Sequence, residues 1–378
     1  MRVISVEASV VAVPFRPGVG TVVTAGMRLT EARHVLVEVH TDAGVTGLGE
    51  AVPRPSIYGE TTDSILAALR ELLVPPILGT DPLDTERPWA RWERVAANTT
   101  AKSALDMAFH DIAGRIAGLP LYKLLGGWSD GWIPLTMPVA ITDDASVRSQ
   151  VQDAVAEGYG GIKLKVGRDL DRDVRIVQIA REAAGADRLL YVDANQGYST
   201  RDALRAAAEF DRIGVDLLEE PVAASDVQGR VKLAANGTAM LLDETILTAA
   251  DMLREIALGT PAAFSIRSPR SGITQARKLV GIAEAAGVPC LIGSHRELGV
   301  ATAASAHLGA AFARMTYPAE LGVHALLSDG LLAEPLRIDG GRMYLPEGPG
   351  LGVELDREKV AFHREGDVVS IGEEGVRA

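Results

Sequence analysis

Residues 189–221 read LLYVDANQGYSTRDALRAAAEFDRIGVDLLEEP, and this segment contains the repeating unit from which the fold can be predicted. A short apolar run is followed by a turn and a helical pattern, after which the next apolar run begins. The interiors of such runs are apolar on both sides of the chain, as expected for parallel strands covered on both faces. The stretch therefore predicts a strand, a helix and a second, parallel strand.

The same unit recurs before and after this stretch, and most runs begin roughly 24 to 30 residues after the preceding one. Amphipathic helical patterns such as DVRIVQIAREAAG (173–185) and ITQARKLVGIAEAAG (273–287) lie between the runs. The runs are IPLTMPVA (133–140), GIKLKV (161–166), LLYVDAN (189–195), DLLEEP (216–221), MLLDE (240–244), AAFSIR (262–267), PCLIGS (289–294) and RMTYPAEL (314–321). Eight such units predict an α/β fold, a (β/α)8-type barrel, over residues 129–335.

The two ends of the chain follow other patterns. MRVISVEASVVAVPF (1–15) and RHVLVEVHTDAGVTGLGEA (33–51) alternate apolar and polar residues, with a turn at 42–44, which predicts an antiparallel meander. Helical patterns follow at about 60–75 and about 101–116. We therefore expect an α+β domain over residues 1–128. The tail, residues 336–378, is rich in Gly and Pro, and we expect it to return to that domain.

Composition excludes several classes of protein. The 378 residues are 47% hydrophobic and 23% charged, which is ordinary for a well-packed soluble protein. The formal net charge of −12 argues against nucleic acid and anionic membranes as partners, because both require a basic face. The single cysteine, Cys290, excludes an internal disulfide and a multi-cysteine zinc site. The sequence shows neither a signal peptide nor a membrane span, so we expect a cytoplasmic protein.

Three successive runs end in a carboxylate: Asp193, Glu219 and Asp243. The carboxyl ends of barrel strands are where such barrels carry their chemistry. Three converging carboxylates would repel one another unless a cation lay between them, and all-oxygen ligation suits Mg²⁺ or Mn²⁺. We therefore predict one divalent metal site, with Mg²⁺ as the first choice. The alternative is that each carboxylate caps the helix that follows it.

Three further polar residues lie beside these carboxylates in the sequence. Glu220 and Glu244 each follow a proposed ligand and are expected to point elsewhere, in supporting or structural roles. Asn195 lies two residues after Asp193, on the same side of the chain, and is expected to orient or supplement a ligand.

Lys163 and Lys165 in GIKLKV lie on one side of a buried strand, and we expect both to face the barrel interior. Their mutual repulsion and a nearby metal would lower the pKa of a lysine towards neutrality. Lys165, nearer the carboxyl end of the strand, is the predicted general base, with Lys163 as the partner charge. Alternatively, both lysines pair with carboxylates in a structural network. A metal beside a base predicts removal of an α-proton from a carboxylate substrate through a metal-stabilised enediolate.

The KLK strand, the three carboxylates at these spacings and the segment FSIRSPRSGIT (264–274) resemble the muconate-lactonising branch of the enolase superfamily. The resemblance spans nearly the whole chain, including NTTAKSALDMAFHDIAGRIAGLPLYKLLGG (98–127) and GSHRELGVATAASAH (293–307). It implies Mg²⁺ or Mn²⁺, a small carboxylate substrate, a homo-oligomer, and an N-terminal domain that caps the substrate. It also implies that Glu297 matches a characteristic glutamate of the seventh-strand segment, which we assign to substrate binding.

The sequence departs from the family pattern at one important position. The family carries a second catalytic lysine on the sixth strand, where this chain has Arg267. Arginine stays protonated, so it is a poor acid or base, but it can hold a substrate carboxylate or stabilise an enolate. His295 follows the seventh strand, where the mandelate racemase branch has a catalytic histidine, and is a second acid/base candidate.

Further substrate contacts are expected from polar residues around the barrel mouth and in the cap. Arg270 is an alternative anion contact. The segments 14–29 and 53–60, the latter with Arg54 and Tyr58, are expected to select the substrate.

The leading functional hypothesis is a metal-dependent isomerase or lyase, cycloisomerase-like, with Lys165 as base. One alternative is a racemase or epimerase of an amino-acid derivative or dipeptide that uses Lys165 and His295. The other is a non-catalytic homologue, marked by Arg267, that binds a metal and a ligand without turnover.

Overall fold

The computed structural model describes residues 1–17, 22–24, 27–140, 143–322 and 326–372. The strands are β1 (Val3–Pro14), β2 (Val22–Thr24), β3 (Met27–Leu29), β4 (Glu31–Thr41), β5 (Thr46–Ala51), β6 (Trp132–Pro134), β7 (Thr136–Val139), β8 (Gly161–Lys165), β9 (Leu189–Asp193), β10 (Leu217–Glu219), β11 (Met240–Leu242), β12 (Pro261–Ile266), β13 (Cys290–Ile292), β14 (Ile338–Asp339), β15 (Arg342–Tyr344) and β16 (Arg364–Gly372). The α-helices are α1 (Thr62–Ala68), α2 (Glu86–Trp92), α3 (Thr99–Ala117), α4 (Leu121–Leu125), α5 (Asp144–Ala156), α6 (Leu170–Ala184), α7 (Thr200–Ile213), α8 (Val227–Ala235), α9 (Ala249–Ala257), α10 (Ser268–Ala285), α11 (Gly299–Ala311) and α12 (Arg357–His363). A π-helical turn at Leu69–Leu73 continues α1, and a 3-10 turn follows at Pro75–Ile77.

The N-terminal domain is a sheet in the order β16-β1-β4-β5 with helices packed on it. β1 and β4 pair antiparallel, and β4 turns into β5 at residues 42–44, where Gly44 has a φ of 73° that favours glycine. α3 packs so closely on β5 that a Cβ on Gly49 would collide with the Ala104 carbonyl oxygen. The predicted meander and the helix near 101–116 are confirmed.

The barrel sheet runs in chain order from β7 to β13, with every pair of neighbours parallel. An eighth, irregular segment closes the ring between β13 and β7. It forms parallel bridges from Met315 to Cys290 and from Ala319 to Leu135, and the Ala319 amide donates to the Pro134 carbonyl at 2.8 Å. The predicted (β/α)8-type barrel with a separate α+β domain is confirmed.

The tail divides between the two parts of the molecule. β14 and β15 form a small antiparallel sheet with β6, beside the barrel, whereas β16 pairs antiparallel with β1 in the N-terminal sheet. Along the described segments, no helix is both long enough and apolar enough to cross a membrane.

Two buried carboxylates of the N-terminal domain reach the amino ends of barrel helices. Glu50, at the end of β5, accepts hydrogen bonds from the amides of Leu298 (2.7 Å) and Ala301 (2.9 Å), at the start of α11. Asp106, on α3, accepts from the amides of Ile273 (2.6 Å) and Thr274 (2.9 Å), just after Gly272 breaks α10. Unpaired amides and the helix dipole favour a carboxylate at both places. These contacts hold the domain against the barrel.

Replacing Asp106 with alanine is therefore expected to destabilise the protein by about 2–3 kcal/mol, because it leaves buried donors without an acceptor. These donors include the Trp89 indole nitrogen and the Thr274 hydroxyl. Urea unfolding followed by circular dichroism measures the loss. The matched control is Asp251→Ala, which removes a more exposed carboxylate from the start of α9 and is expected to cost about 1 kcal/mol or less. Equal losses for the two variants would contradict the anchoring role.

Candidate active site

The barrel strands bring the three predicted carboxylates to one end of the sheet. Asp193 and Glu219 are register partners at the ends of β9 and β10, and Asp243 follows β11 directly. All three are buried. None caps the next helix, because the side chains that cap α7, α8 and α9 come from other residues, Ser199, Asp226 and Thr248. The helix-capping alternative is wrong.

Lys163 lies at the centre of this acidic group. Its Nζ is 2.7 Å from Glu219 Oε2, 3.0 Å from Asp193 Oδ2 and 2.7 Å from Glu320 Oε2. Burial alone would lower the pKa of Lys163, but these three carboxylates raise it well above its ordinary value. The expectation that the lysine pair has lowered pKa values is therefore wrong for Lys163. The structural-network alternative describes this lysine well.

Lys165 occupies the next level of the same strand, in register with Asp193. Its Nζ contacts Asp193 Oδ2 and lies 2.7 Å from Asn195 Oδ1. The side chain is 36% exposed, whereas that of Lys163 is 1% exposed, so Lys165 can meet a molecule in the barrel mouth. Although burial opposes it, the two lysines lower the pKa of Asp193. The Asn195 side chain orients Lys165 rather than a proposed metal ligand, whereas its backbone amide donates to Asp193 Oδ1 at 2.8 Å.

Asp243 is bound by two arginines. Arg267 contacts both carboxylate oxygens, through Nε at 2.7 Å and through Nη2, and its Nη1 donates to the Ser294 carbonyl. Arg270 donates from Nη1 to Asp243 Oδ1 at 3.0 Å and to the Asp243 carbonyl at 2.9 Å. Burial raises the pKa of this carboxyl, but Arg267 and Arg270 more than offset that effect and lower it. Both arginines are buried, so each charge is held in a fixed position.

The two acids that follow the proposed ligands are buried beside them. Glu220 accepts hydrogen bonds from the amides of Asp243 (2.6 Å) and Thr245 (2.8 Å), so it shapes the turn after β11. Glu244 accepts from the Asn195 amide group at 3.3 Å, and its Oε2 has no hydrogen-bond partner among the described residues. Burial, then the nearby Asp243 charge, raises the pKa of Glu244 to about 8. Glu244 therefore faces the site rather than away from it.

The chemistry of this donor set fits a hard divalent cation. Carboxylate oxygens are the ligands that Mg²⁺ and Mn²⁺ prefer, and Glu244 Oε2, which is buried without a hydrogen-bond partner among the described residues, is a further donor oxygen beside them. Within the described ranges, however, no three His, Cys, Asp or Glu side chains are grouped closely enough to hold one ion. Lys163 and Arg267 lie between the carboxylates instead. A metal ion therefore requires a rearrangement of these cationic side chains.

His295 and Tyr58 meet across the barrel mouth. The Tyr58 hydroxyl is 2.9 Å from His295 Nε2, and the ring centroids are 5.4 Å apart. Burial, followed by the charges of Arg267 and Arg54, lowers the pKa of His295 well below its ordinary value, so the ring is neutral. Its Nδ1 has no hydrogen-bond partner in the part of the chain that the structure describes. Burial also raises the pKa of Tyr58 to about 12.

Glu297 lies in the loop after β13 rather than free at the barrel mouth. It accepts hydrogen bonds from the His295 amide at 2.7 Å and the Ser294 hydroxyl at 2.6 Å. Both oxygens are thus engaged in holding the loop that carries His295. Its assignment to substrate binding stays a prediction. Arg54 is buried and donates to the Pro53 carbonyl at 2.9 Å.

One member of the site was missed in the sequence. Glu320 ends the eighth apolar run and contacts Lys163 at 2.7 Å. Its position repeats the signal used for the other strand-end carboxylates, so the same rule could have found it. Within the segment 14–29, residues 18–21 and 25–26 lie outside the described part of the chain, and the selection of substrate by this segment stays a prediction.

The barrel, its covering domain and the acidic and basic groups at the strand ends define a class: α/β-barrel enzymes that work on small molecules at the barrel mouth. Residues 4–126 match the model of the mandelate racemase / muconate lactonizing enzyme N-terminal domain. Residues 146–360 match the model described as enolase C-terminal domain-like.

Several characterised proteins are similar over almost their whole length. L-Ala-D/L-Glu epimerase of Bacillus subtilis (strain 168) is 30% identical over 366 residues, which cover 93% of this chain and 97% of the epimerase. Muconate cycloisomerase 1 of Rhodococcus opacus is 32% identical over 370 residues, which cover 95% of this chain and 98% of that enzyme. The crystal structure of muconate lactonizing enzyme from Pseudomonas fluorescens complexed with muconolactone aligns with a TM-score of 0.91 at 28% identity, over 96% of this chain and 99% of that chain.

The chain belongs to the mandelate racemase/muconate lactonizing enzyme family, in the muconate lactonizing branch of the enolase superfamily. It is an enzyme of the isomerase or lyase kind found in that superfamily. Members of the superfamily generally use Mg²⁺.

Proposed function

We propose that this enzyme removes the α-proton of a small carboxylate substrate with Lys165 and carries out a cycloisomerase-like isomerisation or elimination. The observation that carries the proposal is the placement of Lys165. Its Nζ is held by Asp193 and Asn195 at the carboxyl end of β8, and its side chain is partly exposed to the barrel mouth. A base must lie within reach of the proton that it removes, and this lysine has both position and access.

The surrounding cations would stabilise the negative charge that appears when the proton leaves. Arg270 is held by Asp243 and by the backbone carbonyls of Asp243 and Ser265, and a fixed charge costs no reorganisation when the substrate becomes an enediolate. Asp193, Glu219 and Asp243 would hold Mg²⁺, or Mn²⁺ in its place. A bound divalent cation would supply further positive charge for the substrate carboxylate.

A cycloisomerase-like reaction is the leading choice because it needs one base. The family's usual second lysine is replaced here by Arg267, whose pKa is raised well above its ordinary value by Asp243 and other carboxylates despite burial. It cannot take up a proton from a substrate. A relative that is named as a muconate cycloisomerase supports this choice, whereas one named as an L-Ala-D/L-Glu epimerase supports the alternative.

A panel of muconates, dipeptides, N-acyl amino acids and proline derivatives, assayed in D2O with Mg²⁺, tests the proposal. We expect turnover or α-deuterium incorporation with at least one class, through one face of the α-carbon only. Exchange through both faces would favour the epimerase alternative. Absence of both turnover and exchange across the whole panel would favour the non-catalytic alternative.

The epimerase alternative rests on His295 as the second base, and its substitution separates the two mechanisms. We expect His295→Asn to leave α-proton exchange within about tenfold of the wild-type rate, because a buried neutral histidine bound to Tyr58 is a weak base. Proton NMR of each enantiomer in D2O measures the exchange. In a two-base enzyme the same variant would lose exchange from one enantiomer and keep it from the other. Tyr58→Phe, which removes the partner hydroxyl, serves as the matched control.

We also propose that the enzyme acts in the cytoplasm as a homo-oligomer, without nucleic acid or membrane partners. The net charge of −12 and the single cysteine support the location and the absence of such partners. Large exposed apolar side chains at and after the end of α3 would suit contact with another copy; they are Ile116, Leu119, Leu124 and Trp128.

A further inference from the structure

The Arg267 guanidinium bridges two of the three strand-end carboxylates. Nη2 lies 3.5 Å from Glu219 Oε1, and the same atom contacts Asp243 Oδ2. Nε binds the other oxygen of Asp243 at 2.7 Å. Arg267 thus places one positive charge between the ends of β10 and β11.

Arg270 provides a comparison within the same site. It is even more deeply buried and also binds Asp243, at 3.0 Å, but its other hydrogen bonds go to backbone carbonyls, those of Asp243 and Ser265. It makes no ion pair with Glu219 among the described contacts. Both arginines therefore add positive charge near Asp243, and one of them lies between the two carboxylates.

We propose that Arg267 occupies the place between Glu219 and Asp243 that a divalent cation would take, so that metal binding and the Arg267–Asp243 contact exclude each other. This inference rests on the proposed function in one respect, the assignment of the carboxylates as metal ligands. A cation that enters must displace the guanidinium from both oxygens of Asp243 and overcome its charge. The protein therefore binds divalent metal weakly, because the Arg267 guanidinium competes with the ion for Glu219 and Asp243.

The competition also explains why three strand-end carboxylates can coexist in a buried site. The guanidinium already compensates Asp243, and Lys163 compensates Glu219 and Asp193. Carboxylates that are paired in this way do not require a metal for the barrel to fold. Metal dependence thus becomes a property of the working enzyme rather than of its folded state.

Titration with Mn²⁺ alone, followed by electron paramagnetic resonance of the free ion, tests the proposal without any substrate. Arg267→Met is expected to bind Mn²⁺ about tenfold more tightly than the wild type or better, because it removes a like charge from within a few ångströms of the ion. Arg270→Met is the matched control. It removes the other buried arginine that binds Asp243, but it leaves the Arg267 guanidinium between Glu219 and Asp243. We expect a clearly smaller gain for it, and Asp243→Asn in the Arg267→Met background is expected to abolish the gain.

Equal gains for the two arginine variants would overturn the proposal, since charge alone would then explain them. Unchanged or absent Mn²⁺ binding in folded Arg267→Met would overturn it as well. Circular dichroism and thermal unfolding establish that each variant is folded. The proposed function fails on a different measurement, the absence of α-deuterium incorporation by the wild type across the substrate panel, so the two failures are distinguishable.

Discussion

Lys165→Ala is expected to lower the rate of α-proton exchange by about a thousandfold, since general-base catalysis contributes about 10²–10⁴-fold. The variant removes the basic nitrogen that meets the barrel mouth and leaves Lys163 with its three carboxylates. Deuterium incorporation at the α-carbon, followed by proton NMR, measures the base step directly. Turnover with the same substrate is expected to fall to the same degree.

Lys165→Arg is the matched control for this prediction. It keeps a positive charge beside Asp193 but cannot release a proton, so we expect the same loss of exchange with little loss of stability. Asn195→Ala, which removes the amide that orients Lys165 at 2.7 Å, is expected to cause a smaller loss. If Lys165→Arg retained near-normal exchange, Lys165 would act through its charge and the assignment as base would be wrong.

Lys163→Met is expected to destabilise the folded protein by about 3–5 kcal/mol, because it leaves buried carboxylates without their common cation. Lys163 is the contact that Asp193, Glu219 and Glu320 share. Urea unfolding followed by circular dichroism measures the loss. The double variant Lys163→Met/Glu320→Gln is expected to recover part of it, because one of the repelling charges is removed.

Lys102→Met is the matched control for the stability measurement. Lys102 is also buried, but it bonds a backbone carbonyl, that of Val95, at 2.5 Å rather than a group of carboxylates. We therefore expect a smaller loss, of about 1 kcal/mol. A loss as large as that of Lys163→Met would show that burial of any lysine, and not the shared ion pairs, determines the cost.

The sequence was sufficient to predict the barrel and the convergence of its carboxylates. Parallel strands of known spacing place every strand end at the same rim, so Asp193, Glu219 and Asp243 could be grouped without coordinates. The same rule, applied to the eighth run, would also have reached Glu320. The α+β domain could be recognised because alternation in β1 and β4 indicates a half-exposed sheet.

The sequence was not sufficient to predict how the charges pair. A lysine among carboxylates and a lysine beside another cation have opposite pKa shifts, and the pattern KLK does not say which neighbours are closer. For Lys163 the effect of the carboxylates is larger, and the pKa is raised. The contact between Tyr58 and His295 joins residues 237 positions apart and depends on how the N-terminal domain lies on the barrel. Periodicity and spacing carry no information on such docking.

The anchoring of the N-terminal domain at Glu50 and Asp106 has a consequence for how substrate preference can change. Glu50 lies just before the segment 53–60, and Glu60, at its end, accepts hydrogen bonds from Thr100 at the start of α3. The segment that carries Tyr58 to the barrel mouth is therefore short, and it is anchored at each end by a buried glutamate, Glu50 before it and Glu60 at its end. Substitutions within that segment can change the surface that faces the substrate while the hydrogen bonds of Glu50 and Glu60 stay in place. Selectivity and docking are thus separable traits, which evolution or mutagenesis can alter one at a time.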